Sequence, residues 1–347
     1  MKKTIAMLLT LAMSVGMLSG CTGVPVAVEN PKNDTVKEET ADTDSNSLKT
    51  GLSVAANLSV ADASAEADGN AATDISIIAV TVSDSGVIES CSIDAIQGKV
   101  SFGTDGQLTS EPGEVLSKNE LGENYGMKAV SPIGKEWNEQ AAYIADYAVG
   151  KTVEELKTTA IDEAGMVKDA DLASGATIYM GSFIWGIEAA VNNAAYLGAE
   201  SGDTLVITSK TSSAASKSAG EEEGAVQVDS NVAVMTKNGD VITSCIFDSV
   251  QAKASFGADG MVTTEAGSVA SKNQLGETYG LKAFSPIGKE WNEQVAAFAQ
   301  YVTGKTAAEI AGIALTETTA PAEADLASSV TIAMGDFLAL IEKSANQ

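Results

Sequence analysis

The residues whose types and spacing could do chemistry are few. Asp171, Ser174, Gly175, Ala176 and Thr177 form the string DLASGAT, and DLASSVT follows at 325–331, ending in Thr331. A hydroxyl behind two small residues is an approachable ester acceptor, since glycine lets a ligand come close to the backbone. Three cysteines stand at 21, 91 and 245, and a thiol can be acylated or oxidised. The rest of the usual catalytic set is missing. There is no His and no Arg, so every cation is Lys. Absence of His removes the triad base and the imidazole metal ligand, and absence of Arg removes the bidentate phosphate clamp. The formal charge of −26 over 347 residues argues against nucleic acid as a partner. With 44% apolar residues the chain still reads as a folded protein with a self-repelling surface.

Lys2 and Lys3, an apolar run over 5–18 and the small residues that follow are an export signal. The run is too short to span a hydrocarbon core of about 30 Å. Leu18, Ser19, Gly20 and Cys21 resemble a bacterial lipobox. That resemblance implies removal of residues 1–20 and acylation of Cys21, palmitate being one such chain, with the protein held on the extracytoplasmic face of the cell membrane. Residues 21–47 are polar and acidic and read as a disordered tether. No CxxC motif exists, so cysteine-rich metal and haem sites have no support. Cys91 and Cys245 lie in β-like runs and read as buried free thiols, a disulfide between them being the alternative.

The segment SKNELGENYGMKAVSPIGKEWNEQ at 117–140 returns as SKNQLGETYGLKAFSPIGKEWNEQ at 271–294, an offset of 154. The same offset carries Cys91 to Cys245, Trp137 to Trp291 and Asp171 to Asp325. Two copies of one domain are therefore expected, over 48–200 and 201–347. Carried further back, that offset sets 51–53 opposite 205–207. Residues 75–82 and 87–93 flank a turn signal and read as a hairpin, and 100–102 with 107–109 as a second. Ser131 and Pro132 resemble an N-cap and first helical residue, opening a helix that buries Ile133, Trp137, Ala141, Ile144 and Ala148 and ends at Gly150. Thr152 and Thr306 open capping boxes. After DLASGAT a helix is expected to about Leu197. Each copy is thus α+β, with antiparallel hairpins followed by helices.

At the entry to that helix two readings of 171–177 stand side by side. In one, Asp171 or Ser174 caps the helix and Gly175 turns the chain. In the other, the string resembles the flavinylation motif of FMN-binding domains, Asp-x-x-(Ser/Thr)-Gly-Ala-(Thr/Ser). Such domains occur in flavin-carrying subunits of sodium-pumping NADH:quinone reductase and in tandem on surface lipoproteins that move electrons outside the cell. The repeated LGENYGMK and IGKEWNEQ segments are similar to those of clostridial-type surface lipoproteins of the FMN-binding or membrane-immunogen kind. The resemblance implies that a flavin transferase joins FMN through its phosphate to Thr177, with Asp171, Ser174, Gly175 and Ala176 as the recognised frame. The phosphate would then lie at a helix start, where unpaired N–H groups and the helix dipole suit an anion.

In the second copy Ser329 and Val330 replace Gly175 and Ala176, and Thr331 is expected to stay unmodified, a second FMN there being the alternative. Trp137 and Trp291 read as core, and Tyr125 and Tyr279 as turn or packing residues. The functional expectation is an electron carrier rather than a turnover enzyme, with a redox donor and acceptor as partners. The alternative is a non-redox surface lipoprotein that binds a ligand or partner through its duplicated domains. A solute-binding component of a transporter is a third reading, disfavoured by the uniform offset.

Overall fold

The structure, a computed structural model, describes residues 46–163 and 165–346, without the side chain of Asp171. The export signal and Cys21 lie outside that range, as does the tether up to residue 45. The described residues belong to one compact unit. The first copy runs β1 (Ser47–Ala61), β2 (Gly69–Val82), β3 (Ile88–Phe102), β4 (Glu114–Val115), α1 (Lys118–Leu121), α2 (Trp137–Ala148), α3 (Val153–Lys157), α4 (Ala170–Ala173), α5 (Met180–Asn192) and β5 (Ala195–Glu200). The second runs β6 (Thr204–Ser212), β7 (Gly224–Asn238), β8 (Val241–Phe256), β9 (Gly267–Val269), α6 (Lys272–Leu275), α7 (Trp291–Val302), α8 (Ala307–Ile310), α9 (Ala324–Ala327) and α10 (Gly335–Ser344). The fold is α+β with antiparallel sheets, as the hairpin and helix signals imply.

Two sheets stack face to face with helices outside, giving four layers. The period of two along β2 explains how. Ile75, Ile77 and Ala79 face the other sheet, where they meet Ile207, Val232, Val234 and Val250. Ile78, Val80 and Val82 face outward, against Trp137 and Ile144 of α2 and Phe183 and Ile187 of α5. The second sheet is covered likewise by α7 and α10 through Phe247, Phe298, Phe337 and Leu340.

The copies are interleaved. The first sheet has the order β3-β2-β1-β5, and β9 of the second copy pairs with β1, Asn57 opposite Ser268. The second sheet has the order β4-β6-β7-β8, with β4 lent by the first copy. Phe102 and Phe256 stack across the interface with centroids 3.9 Å apart. Turns at Gly106 and Gly260 take positive φ, and their carbonyl oxygens accept the N–H groups of Ala219 (2.8 Å) and Ala63 (2.9 Å) of the opposite copy. Thr50 shares a buried hydroxyl bond of 2.7 Å with Ser244.

Several boundaries differ from the sequence reading. Strand β1 starts at Ser47, so the tether ends before it. The β7–β8 turn is one residue shorter than the β2–β3 turn, since Val82 pairs with Ile88 across five residues but Lys237 with Ile242 across four. Upstream of the turns the offset is therefore 155, so Gly69 matches Gly224 and Gly51 matches Val206 rather than Leu205. Ser131 and Pro132 lie in a loop, and α2 begins at Trp137 with Glu136 as its cap, leaving Ile133 outside it. The helix after the motif ends at Asn192, and 195–200 is strand. Gly198 has φ 108°, and a Cβ there would lie 2.4 Å from the Thr243 carbonyl oxygen, so β5 can pass only as glycine. The boxes at Thr152 and Thr306 form as expected.

Asp94 and its counterpart Asp248 fasten α1 and α6 to the sheets. Asp94 accepts the N–H groups of Ala95 (2.7 Å) and Asn119 (3.1 Å), and Asp248 those of Ser249 (2.8 Å) and Asn273 (3.1 Å). Burial raises both carboxyls from 3.8 to about 6, against the lowering effect of those hydrogen bonds. Between about 4 and 6 the folded protein therefore holds protons that the unfolded chain has released, so stability falls as pH rises through that window. We expect the unfolding midpoint at pH 5 to exceed that at pH 7.5 by several degrees. Calorimetry of Asp94→Asn/Asp248→Asn, which keeps the acceptor oxygens, should give a shallower pH slope than wild type.

Candidate functional site

The most closely repeated segment, IGKEWNEQ, works as a clamp. Glu136 is buried and accepts the N–H groups of Met127 (2.9 Å) and Lys128 (3.0 Å), which fixes the loop before α2. One turn further along, fully buried Gln140 turns its amide oxygen to the motif. That oxygen accepts the Thr177 N–H at 2.7 Å and the Thr177 hydroxyl at 3.1 Å, while Nε2 donates to Lys135 O at 3.1 Å and Ser131 Oγ at 3.3 Å. Gln294 treats Thr331 in the same way, at 2.8 and 3.1 Å. Both hydroxyls are thus held alike. Neither glutamine carries chemistry that a sequence motif would flag; their identical spacing to the two threonines is the signal that would have revealed them.

The helix-start reading of 171–177 does not describe the backbone. Asp169 accepts an N–H in the first turn of α4, from Leu172 at 3.0 Å. Helix α5 begins only at Met180, and its N-cap, Tyr179, makes no side-chain capping bond. Thr177 thus precedes the helix by three residues and its N–H is already bonded to Gln140, so it does not sit at a helix terminus with free donors. The Asp171 side chain lies outside what is described. Ser174 is exposed, and Gly175 and Ala176 are buried.

Gly175 has a packing explanation. A Cβ placed on it would lie 2.2 Å from the Tyr143 ring. The counterpart of Tyr143 is Ala297, and there Ser329 replaces the glycine. The large residue and the small one have traded places between copies. Ala176 and Val330 are both fully buried and differ only in how much core they fill.

The surroundings of the two hydroxyls differ more than their geometry. Thr331 lines a cavity of about 610 Å³, walled by Tyr279, Phe284, Trp291 and Phe337, with Lys272 at its side. Trp291 is almost fully buried on its other faces and Phe284 is 87% exposed at the rim. The Lys272 ammonium lies 5.0 Å from the Tyr279 ring centre and 5.2 Å from that of Trp291. In the first copy Tyr179, where the second has Ala333, lays its ring across Gly165 and Gly181. Trp137 and Lys118 repeat the cation–aromatic arrangement, with Tyr125, at 5.0 and 4.7 Å.

Cys91 and Cys245 are free, and burial pushes the Cys91 thiol up to about 12 and that of Cys245 further. Both are inert apolar packing groups at neutral pH. Among the described residues no cluster of three metal-ligating acidic or thiol side chains exists, and no helix is long and apolar enough to cross a membrane. No family model, no curated protein and no solved structure matches the chain.

Proposed function

We propose that the protein is a lipid-anchored, extracytoplasmic carrier of FMN, tethered through Cys21 and loaded by a flavin transferase at the threonine of each repeated frame, Thr177 and Thr331. The observation that carries this reading is the aromatic-walled cavity of about 610 Å³ that Thr331 lines, a volume suited to a tricyclic ring. The frame of Thr177 supports it from the sequence side. Bound there, the flavin would supply one- and two-electron redox chemistry. The chain's own residues bind and orient. Gln294 and Gln140 accept the hydroxyl proton's hydrogen bond and so fix where each Oγ1 points, but an amide cannot take that proton, so a base must come from the transferase. Lys272 and Asp336 place one charge of each sign at the cavity, and Tyr279, Trp291 and Phe337 supply its apolar faces. An open, acidic surface without arginine holds such an anion more securely by a bond than by contacts.

Co-expression with a flavin transferase, followed by a denaturing gel viewed for flavin fluorescence, tests the proposal. Wild type should fluoresce, Thr177→Ala and Thr331→Ala should each lose part of the signal, and the double variant should be dark. A dark wild-type band would overturn the flavin reading, and a bright double variant would overturn both attachment sites. The packing of Tyr143 on Gly175 favours the second reading, a non-redox surface lipoprotein, because it gives the glycine a purpose unconnected with a transferase.

A further inference from the structure

The first copy has a groove of its own, away from Thr177. It holds about 390 Å³ and runs from β1 across the outer face of the sheet to α5. Its origin is clearest beside the second copy. There Asp336 receives Lys210 Nζ at 2.7 Å and Asn231 Nδ2 at 3.0 Å, and Asn231 is bonded in turn to Ser249. This four-residue network bridges β6, β7, β8 and α10, and its Asn231 and Asp336 form one wall of the cavity at Thr331. The matching positions in the first copy are Ala55, Ser76, Ala95 and Ser182, and all four line the groove. Trp185, 53% exposed, stands over it where the second copy has Ala339.

We propose that this groove binds a neutral saccharide, with a pyranose face stacked on Trp185. The lining argues for that chemistry. An exposed indole offers a flat apolar surface, and desolvating it is favourable. Around it stand groups that pair with hydroxyls rather than with charge: the Asn57 amide and the Ser76, Ser182 and Ser268 hydroxyls. Gln97 and Asp74, joined at 2.7 Å, present an amide and a carboxylate side by side. An anionic ligand is disfavoured, because Asp74 lies in the groove and Lys118, the one cation lining it, has its ammonium over the Tyr125 and Trp137 rings. A wholly apolar ligand would strand the polar rim. The volume is within the range of roughly 300–1,000 Å³ of small-ligand sites.

Isothermal titration of the protein with cellotetraose, chitotetraose and maltotetraose tests this, with FMN and menadione as planar-aromatic probes. At least one oligosaccharide should bind, at least tenfold more weakly to Trp185→Ala. Ala55→Lys/Ser76→Asn/Ser182→Asp, which installs most of the sibling copy's network, should abolish binding while the unfolding midpoint stays within a few degrees of wild type. Trp137 also lines the groove but is only 4% exposed, so most of a saturable blue shift in emission should be lost in Trp185→Ala. Binding of none of the three sugars would overturn the proposal. So would sugar binding that survives the triple variant, or a groove that takes only the aromatic probes.

Discussion

Expressed alone, residues 46–200 should yield no folded monomer. Cutting at the turn between β5 and β6 exposes the inner face of the first sheet: Leu52, Val54, Ile75, Ile77, Ile96 and Phe102 are all less than 8% exposed in the intact chain and pack on the second copy or beside it. At roughly 1.5–3 kcal/mol for each large apolar side chain, six such losses come to about 9–18 kcal/mol, as large as the 5–15 kcal/mol by which domains are ordinarily stable. The cut also removes β9 from β1 and leaves β4 without its partner β6, which opens two sheet edges. The half-chain should elute as a dimer or larger species in light-scattering chromatography, and its thermal transition should lose cooperativity. Monomeric protein with a sharp transition would refute the interleaved architecture. Mixing 46–200 with 201–347 should restore a one-to-one species, because each half supplies the short strand and the apolar face that the other lacks.

The same non-locality explains what could be read from the chain in advance. Signals carried within a few residues survive: the β2–β3 hairpin about its turn, the capping boxes at Thr152 and Thr306, and the apolar stripe of α2. Strand β1 carries Ala, Asn and Ser where a strand ordinarily has branched residues, and takes its identity from β2 on one side and β9 on the other. The run at 195–200 continues a helical pattern, yet Gly198 must slip past the Thr243 carbonyl, a contact with a residue far along the chain. Upstream of the hairpin the two copies are one residue off the uniform offset because the second copy's turn is a residue shorter, and a one-residue slip is invisible where no motif spans it. At the candidate site the threonines stand out by sequence, whereas Gln140, Gln294 and the plug Lys210–Asp336–Asn231 do not. Their meaning lies in what they reach, 37 residues away for each glutamine and over 100 for Asp336.

Gly175→Ser should cost about 3 kcal/mol, and Tyr143→Ala in the same chain should return much of it. The new Cβ would lie 2.2 Å from the half-buried ring of Tyr143 on α2, far inside contact distance. Overpacking of this kind typically costs about 1–3 kcal/mol, at the upper end where the neighbour is rigid. Tyr143→Ala alone leaves a void and should cost about 2–4 kcal/mol by lost burial and cavity formation. The double variant reproduces the arrangement that already exists at Ala297 and Ser329, so its loss should be well below the sum of the two. A coupling of 2 kcal/mol or more in urea unfolding would mark direct contact; additivity within about 0.5 kcal/mol would remove the packing explanation of the glycine. The cycle also bears on attachment. Gln140 holds Thr177 independently of residue 175, so the double variant keeps the hydroxyl where it is. If a transferase still loads Thr177 in that background, the glycine belongs to the core. If loading is lost while the fold persists, the glycine is read by the enzyme as well, and the two roles share one residue.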